Sequence, residues 1–280
     1  MKTAETVKDT RAIIKEWKKQ GLSVGLVPTM GFLHEGHESL IRRSAAENDR
    51  TVVSIFVNPM QFGKNEDLET YPRDFERDSR ICERAGADLI FHPQPEEMYP
   101  PDFFTYTDMD TLTEGLCGSH RPGHFRGVCT VVGKLFHIAA PDRAYFGQKD
   151  AQQLSVIRKM VRDLNFDLEV VGCPTVREED GLAKSSRNTY LSPEERQAAT
   201  VLHKALLHAE KAIAGGERDA AAIRGEMLRI IEAEPLAVPD YVEIVDWELL
   251  QPVRKLEKPT LVAVAVKFGK TRLIDNYIWE

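Results

Sequence analysis

The feature that most constrains the fold of this chain is an alternation of short apolar runs with segments of helical periodicity. The runs of strand length are Ser23 to Val27, Thr51 to Val57, Asp88 to Phe91, Arg143 to Phe146 and Leu168 to Val171. The helical patterns between them are Val7 to about Gly21, a segment around Leu40 and Ile41, Asp74 to Ala85, Gly127 to Ala139, and Asp150 to Leu164. Parallel strands need crossover connections that are usually helices, so this alternation indicates a parallel sheet. The sequence therefore predicts an α/β domain with a Rossmann-like, doubly wound sheet.

The second half of the chain has a different character. Ser192 to Glu195 combines an N-cap serine, a proline at the first helical position and a glutamate at the third, which predicts a helix running to about Ala214 and ending at Gly215 and Gly216. A further helix is expected from Asp219 to Ala233, followed by strands at Tyr241 to Val245, Leu261 to Phe268 and Thr271 to Ile278. Consecutive strands favour an antiparallel sheet, so we predict a Rossmann-like domain over residues 1–180 and a smaller α+β domain over 181–280.

Charge and hydropathy exclude several classes of protein. The net charge of −7 over 280 residues and the pI near 5.7 argue against a nucleic-acid partner. The longest obvious apolar run, Leu261 to Val266, is too short to span a bilayer, and Met1 to Ile14 lacks a signal-peptide core. We expect a cytoplasmic protein without membrane segments. The cysteines lack C-x-x-C spacing and are expected to be reduced, partly buried thiols at positions Cys82, Cys117, Cys129 and Cys173.

Two histidines follow the first predicted strand. The strand leads through Pro28 to Gly31 into the string from His34 to His37, which places two imidazoles three residues apart at the start of a helix. Both rings and the free N–H groups of the helix start are expected to face a phosphate chain. A zinc helix of the H-E-x-x-H type needs histidines four residues apart, so zinc is disfavoured. For this motif alone, a pair of surface histidines beside a helix cap is the more ordinary interpretation.

A second motif favours phosphate binding over the interpretation as surface histidines. Residues 184–187 read Lys-Ser-Ser-Arg, with two cations and two hydroxyls suited to phosphate binding. The two motifs in this order resemble the HIGH and KMSKS signatures of nucleotidylyl transferases, which implies an ATP-adenylating site. Because this loop lies near the predicted domain boundary and follows Gly181, we expect the second domain to close as a lid over a reactive intermediate.

Longer strings carry a more specific resemblance, to the pantoate:beta-alanine ligase family. They are PTMGFLHEGH (Pro28–His37), FVNPMQF (Phe56–Phe62), HRPGHFRGVCTVV (His120–Val132), YFGQKDAQQ (Tyr145–Gln153) and VREEDGLAKSSRNTYL (Val176–Leu191). The resemblance covers the whole chain. It implies a cytoplasmic homodimer that condenses pantoate with β-alanine, using ATP and Mg2+, through an enzyme-bound pantoyl adenylate to give pantothenate, AMP and pyrophosphate. Many family members carry methionine or leucine where this chain has Lys184.

The candidate ATP site is drawn from the motifs and from the resemblance. The resemblance implies that ATP is lined by Met30, Gly31, Phe32, Leu33, His34, Glu35, Gly36 and His37, with an acid role for His37. His34, His37 and Lys149 are the predicted catalytic residues. The remaining ATP-binding candidates are Gly147, Gln148, Lys149, Asp150, Val176, Lys184, Ser185, Ser186 and Arg187. Among these, Lys149 suits a phosphate, Asp150 the ribose hydroxyls and the Val176 backbone the adenine.

Two amides are the candidates for binding the acid substrate. Gln61 and Gln153 can each donate and accept hydrogen bonds, which suits a molecule with two hydroxyls and a carboxylate. By resemblance both bind pantoate, and Gln61 also lies where β-alanine arrives. Amides that only cap loops are the alternative. Weaker candidates are Asn58, Arg121, His124 and Arg126, and Asp78, which is either a magnesium ligand or part of a solvated helix face.

Two rival functions share these features. One is a different nucleotidylyl transferase, such as a cytidylyltransferase or an adenylyltransferase for a dinucleotide. The other is a non-enzymatic nucleotide sensor on the same sheet. Exchange of pyrophosphate into ATP that depends on pantoate would favour the ligase over both.

Overall fold

The computed structural model describes residues 1–64 and 66–280, which divide into two compact units. The first unit comprises Met1–Asp110, Arg121–Gln148 and Val156–Pro174; the second comprises Thr111–His120, Lys149–Ser155 and Thr175–Glu280. The domain boundary expected after residue 180 stays a prediction. The long C-terminal part of the second unit begins at Thr175, and two short earlier segments belong to the same unit.

The sheet of the first unit is parallel throughout, as predicted. Its strands are β1 (Lys2–Ala4), β2 (Val24–Thr29), β3 (Arg50–Ile55), β4 (Leu89–Phe91), β5 (Arg143–Gly147) and β6 (Glu169–Cys173). They lie in the order β1-β4-β3-β2-β5-β6, with every pair parallel. The chain winds outward in opposite directions from β2 and β5, so the switch point lies between these two strands. Ligands bind outside the carboxyl ends of strands at such a point.

Helices connect the strands at bounds close to those expected. Across the described residues they are α1 (Val7–Lys19), α2 (Glu35–Glu47), α3 (Phe75–Ala85), α4 (Pro95–Met98), α5 (Leu116–His120), α6 (His124–Ala139), α7 (Ala151–Asp163), α8 (Pro193–Ala198), α9 (Val201–Ala214) and α10 (Ala220–Glu232). Capping residues set several of these bounds. Asp74 caps the start of α3, and Gly86 ends it with a φ of 96°. No helix in the described part of the chain is long and apolar enough to cross a membrane.

The second unit contains the predicted antiparallel sheet. Its strands β7 (Ala237–Asp246), β8 (Thr260–Phe268) and β9 (Thr271–Trp279) lie in the order β7-β8-β9. One face packs against α9 and α10 in a core that includes Leu202, Ile223, Met227, Val262 and Val264. The hydrophobic effect of burying this face accounts for the association of the helix pair with the sheet.

The single helix predicted from Ser192 to Ala214 is wrong in one respect, because it is interrupted between α8 and α9. Its start is confirmed, since the backbone N–H of Ser192 donates to Glu195 and that of Glu195 donates to the Ser192 hydroxyl. At the interruption the Thr200 hydroxyl and N–H both bond to the Gln197 carbonyl. A threonine that bonds a nearby carbonyl competes with the regular helical pattern, and no periodicity signal reveals this.

The cysteine thiols of the molecule are free and buried, in agreement with the absence of paired spacing. Burial raises the pKa of Cys82 and of Cys129 to about 12, so neither thiol ionises near neutral pH.

Candidate active site

The turn after β2 presents the histidine motif and is ordered from within. The Thr29 hydroxyl donates to the Ser54 carbonyl (2.7 Å) and accepts from the N–H of Gly31 (3.2 Å). Gly31 and Phe32 have φ values of 83° and 49°, so two successive residues adopt the left-handed conformation. Glycine is favoured at the first of these positions, since it adopts this conformation without steric cost. The chain thereby turns sharply from the sheet edge into α2.

A buried aspartate on α3 accepts hydrogen bonds from the backbone of this turn. The Asp78 side chain on α3 accepts the N–H of Phe32 at Oδ2 and that of Leu33 at Oδ1, both at 2.7 Å. Only 1% of the residue is exposed. Burial raises the pKa of Asp78, while the two N–H bonds oppose that shift. The solvated helix face considered for Asp78 is therefore wrong. Its two oxygens are engaged with the backbone rather than turned outward for magnesium.

The two histidines cap α2 reciprocally. The N–H of Gly36 donates to Nδ1 of His34 (3.1 Å), the N–H of His34 donates to Nδ1 of His37 (3.3 Å), and the ring centroids are 4.1 Å apart. Two of the N–H groups expected to face phosphate, those of Gly36 and His34, are instead accepted by the imidazoles. With Nδ1 as an acceptor, each neutral ring carries its proton on Nε2, as inferred from the hydrogen-bond network. The N–H donor of each ring is then at Nε2.

Gln61 lies beside this turn in a short 3-10 helix, Pro59–Gln61, that follows β3. Its Nε2 is 3.2 Å from the Met30 sulfur, and its Oε1 accepts from Asn58 (3.0 Å). Asn58 also donates to the Gly127 carbonyl. A side chain at Gly127 would meet the Met60 carbonyl oxygen at 2.5 Å, so glycine is needed for this close approach. Gln61 is thus 9% exposed and held next to the residue that opens the histidine motif.

Three weaker candidates have protein partners in the first unit. His124 Nδ1 lies 2.9 Å from the Gln61 carbonyl oxygen, and Nε2 of the same ring is 3.1 Å from Arg121. Arg121 in turn donates to Glu66 at 2.8 Å. The Arg126 guanidinium lies over the Tyr106 ring, 4.0 Å from its centroid. These contacts give His124 and Arg121 a role in holding the backbone of Gln61.

In the second unit, Lys149, Gln152 and Gln153 lie in one short segment but differ in their hydrogen-bond partners. The Lys149 carbonyl accepts from Asn276 (2.8 Å), and its ammonium is 3.8 Å from the Asp150 carboxylate. Gln152, which the sequence analysis did not single out, is the buried structural amide: it accepts from the Cys117 N–H and donates to two carbonyls of residues 112 and 115. Gln153 is half-buried and makes no side-chain hydrogen bond within residues 1–64 and 66–280.

The second motif, residues 184–187, begins at the last residue of a hairpin formed by residues 176–184. Lys184 donates its N–H to the Val176 carbonyl (2.9 Å), and its ammonium lies 2.7 Å from the Glu178 carboxylate. Gly181 closes the hairpin with a φ of 91°, and a Cβ there would overlap the His203 ring. Ser185 then caps a 3-10 helix, Ser186–Tyr190, through the N–H of Arg187. The loop is therefore ordered on both sides of the two serines.

Sequence candidates thus fall into two groups, one in each unit. The first unit brings together the histidine turn, Gln61 and, at the end of β5, Gly147 and Gln148. The second unit contains the Lys149 segment with Gln153, and the hairpin with Lys184 to Arg187. The residue that sequence reasoning undervalued is Asp78, whose partners are 45 and 46 positions away in the chain.

The sheet order and the histidine turn at its switch point define the class of protein: an α/β nucleotidylyl transferase fold. Solved structures agree. The chain superposes with a TM-score of 0.94 on pantothenate synthetase from Thermus thermophilus, with 48% identity and 99% of each chain covered. It superposes with a TM-score of 0.82 on pantoate-beta-alanine ligase from Francisella tularensis, complexed with beta-gamma ATP and beta-alanine, at 33% identity over 99% of this chain and 97% of that one.

The family follows from the sequence comparisons. The model of the Pantoate-beta-alanine ligase family matches residues 2–278. Pantothenate synthetase of Enterococcus faecalis is 63% identical, with 99% of this chain and 98% of that protein covered. The corresponding protein of Clostridium acetobutylicum is 57% identical over the full length of both. The chain belongs to the pantoate-beta-alanine ligase family, which confirms the resemblance found in its motifs.

Proposed function

We propose that this chain is a pantoate:beta-alanine ligase that joins pantoate to β-alanine at the expense of ATP and forms pantothenate, AMP and pyrophosphate. The observation that carries the assignment to a site is the histidine turn. It holds two imidazoles with their ring centroids 4.1 Å apart, each with its proton on Nε2, in a chain that matches the family over residues 2–278. Donors placed before the reaction begins need no reorganisation as charge develops.

The reaction has two steps. A pantoate carboxylate oxygen attacks the α-phosphorus of ATP, the bond to the bridging oxygen breaks, and pyrophosphate leaves. The β-alanine amine then attacks the pantoyl carbonyl, AMP leaves with the bonding electrons, and the amine gives up a proton. Negative charge grows on phosphate oxygens in the first step, so its catalysis is a matter of positioning and of hydrogen-bond donors.

We assign the phosphate donors to both groups of candidates. His34 and His37 donate through Nε2–H. Of the two, His37 is assigned the role of the acid toward the leaving pyrophosphate. The further donors are the side chains of Lys149, Ser185, Ser186 and Arg187. Lys184 contributes less, because its ammonium is paired with Glu178.

The nucleoside is assigned to the segment after β5 and to the hairpin. A Cβ at Gly147 would meet no atom within 4 Å, so no neighbouring side chain fills the space beside this glycine. Gln148 follows it. Asp150 accepts the ribose hydroxyls, and the backbone of Val176 contacts adenine. In the first unit, residues Met30 to Glu35 are assigned to line the nucleotide. They lie in the turn whose backbone Asp78 binds.

Pantoate is assigned to Gln61 and Gln153. Gln61 is held by Asn58 and lies next to Met30, while Gln153 keeps its amide for a ligand. Amides can bind a hydroxy acid without neutralising the carboxylate that must attack.

Magnesium is assigned to the substrate as the counter-ion of ATP. Among the described residues, no group of three or more His, Cys, Asp or Glu side chains could hold a metal ion, and the Asp78 oxygens accept backbone N–H groups. The oxygens of the ATP phosphates suit Mg2+, which is commonly bound by substrate phosphates together with one or two carboxylates. We further propose a cytoplasmic homodimer, in line with the family.

The test uses the complete reaction and its first half. Pyrophosphate should exchange into ATP only when pantoate is present. Rapid quenching of enzyme with ATP, Mg2+ and pantoate should trap about one equivalent of pantoyl adenylate per site. Arg187→Ala should slow its formation and raise its loss to free pantoate and AMP. Exchange that depends on another acceptor, ATP binding without exchange, or pantothenate formed with no trapped adenylate would contradict the proposal.

A further inference from the structure

The hairpin of residues 176–184 is tied to the sheet of the second unit by an ion pair whose carboxylate is buried. Arg177 donates from Nη1 to Oδ2 of Asp275 (2.6 Å) and from Nη2 to Oδ1 (3.0 Å), a bidentate pair. The same Nη1 donates to the Gly181 carbonyl at 3.1 Å. The Asp275 side chain, on β9, is 1% exposed. One guanidinium therefore joins the turn of the hairpin to the central part of a strand.

The next residue of β9 holds the other candidate segment of this unit. Asn276 donates from Nδ2 to the Lys149 carbonyl at 2.8 Å, and its own N–H donates to Asp275. Side chains of successive strand residues point to opposite faces. Two neighbouring positions of one strand thus bind two separate segments, each with residues assigned above to ATP.

The hairpin carries a second ion pair that serves as an internal comparison. Arg196 on α8 donates to both carboxylate oxygens of Asp180, at 2.7 and 3.2 Å. These two side chains are 31% and 44% exposed, compared with 25% for Arg177 and 1% for Asp275, so the difference lies in the carboxylate. Exposed pairs contribute little to stability, whereas removing one partner of a buried pair leaves a charge without compensation. The two pairs are alike in geometry and differ in burial.

We propose that Asp275 and Asn276 are positioning residues for ATP binding: Asp275 sets the place of the hairpin through Arg177, and Asn276 sets the place of Lys149. Neither side chain touches the nucleotide in this assignment. The proposal rests on the function proposed above for its link to ATP, but the ordering of the hairpin is a property of the protein alone.

The first experiment measures ATP binding by calorimetry without pantoate or β-alanine. Asp275→Asn keeps the size of the side chain and removes the charge, and we expect ATP binding weakened roughly tenfold or more. Asn276→Ala should weaken it by a smaller factor, and the matched control Asp180→Asn should stay within about twofold. If Asp275→Asn fails to fold, Arg177→Ala/Asp275→Ala removes both charges and every hydrogen bond between the two side chains, and it carries the test. Unchanged ATP affinity in this folded double variant would overturn the proposal.

The second experiment reads the hairpin directly. Trypsin under native conditions should cleave after Lys184 and Arg187 faster in Asp275→Asn than in the wild type or in Asp180→Asn, as identified by mass spectrometry. Equal cleavage in all three would overturn the anchoring role. Faster cleavage with unchanged ATP affinity would overturn the link to ATP. If the wild type shows no pantoate-dependent exchange, the proposed function fails, and the cleavage comparison still decides whether Asp275 anchors the hairpin.

Discussion

The histidine turn of the first unit and the hairpin loop of the second both carry candidate ATP donors, yet they are ordered by different forces. In the turn, a buried carboxylate accepts two backbone N–H groups, and two imidazoles accept two more. In the hairpin, backbone hydrogen bonds join the two arms, and the main side-chain contacts are ion pairs, Arg177 with Asp275 and Lys184 with Glu178. Side chains bind the main chain of the turn directly, whereas the side-chain contacts of the hairpin mainly join the charged ends of long side chains.

This difference has consequences for function. Bonds from a rigid side chain to the backbone define where each imidazole points, so we expect changes in the turn to affect the chemical step. Ion pairs at the ends of flexible side chains restrict a loop less sharply, and partly exposed pairs weaken with salt. Changes in the hairpin should therefore act first on ATP binding. Each of the following predictions tests one side of this comparison.

The largest effect is expected from His37→Ala. Loss of the Nε2–H donor should lower kcat on the order of a hundredfold or more, with a much smaller rise in the KM for ATP. Two isosteric variants sharpen the result. His37→Asn retains an acceptor near Nδ1 for the His34 N–H but loses the distal donor, whereas His37→Gln supplies a distal donor. Steady-state kinetics should show the Asn variant as impaired as Ala. Near-normal turnover of the Ala variant would remove His37 from the catalytic group.

A smaller loss of kcat, roughly tenfold, is expected from Asp78→Asn. The amide can accept only through one oxygen, so one of the N–H groups of Phe32 and Leu33 loses its partner and the turn loosens. Asp74→Asn is the matched control on the same helix. The Asp74 carboxylate also accepts a backbone N–H, that of Arg77, but asparagine caps a helix equally well.

The measurement for this pair is kcat at saturating substrates, together with thermal unfolding. We expect kcat and the unfolding temperature to fall in Asp78→Asn. Neither quantity should change appreciably in Asp74→Asn. A variant at Asp78 that is less stable but turns over normally would show that the aspartate supports the fold of the turn without setting the place of the histidines.

Local signals explain what the sequence predicted well. The strand-length apolar runs, the cap at Ser192 and the helix from Asp74 to Ala85 are recognised from a few neighbouring residues, and all agree with the structure. Strand β1 was missed because Lys2–Ala4 is too short to show any period. The interruption between α8 and α9 was missed because it depends on the hydroxyl of one threonine.

Pairings between distant residues explain what the sequence could not supply at the site. Asp78 lies among charged neighbours on α3, so its sequence context is that of a solvated residue. In the structure it is covered by the turn at Phe32, which is 46 positions away in the chain. Gln152 and Gln153 are indistinguishable as letters, and only the segment around Cys117 shows that the first is engaged in the fold. Candidate chemistry-bearing residues can therefore be predicted from motifs, whereas the residues that hold them in place require the structure.

The smallest effect is expected at Lys184 in the hairpin. Its ammonium is 2.7 Å from the Glu178 carboxylate, and both side chains are partly exposed, so the charge is already compensated. Lys184→Met should change kcat/KM for ATP by no more than about threefold, and Glu178→Gln should do the same. Added salt should narrow both differences, since it screens the pair. A hundredfold loss in Lys184→Met alongside normal activity in Glu178→Gln would instead give the lysine a direct role at the ATP phosphates, and the two regions would then differ less in mechanism than their structures indicate.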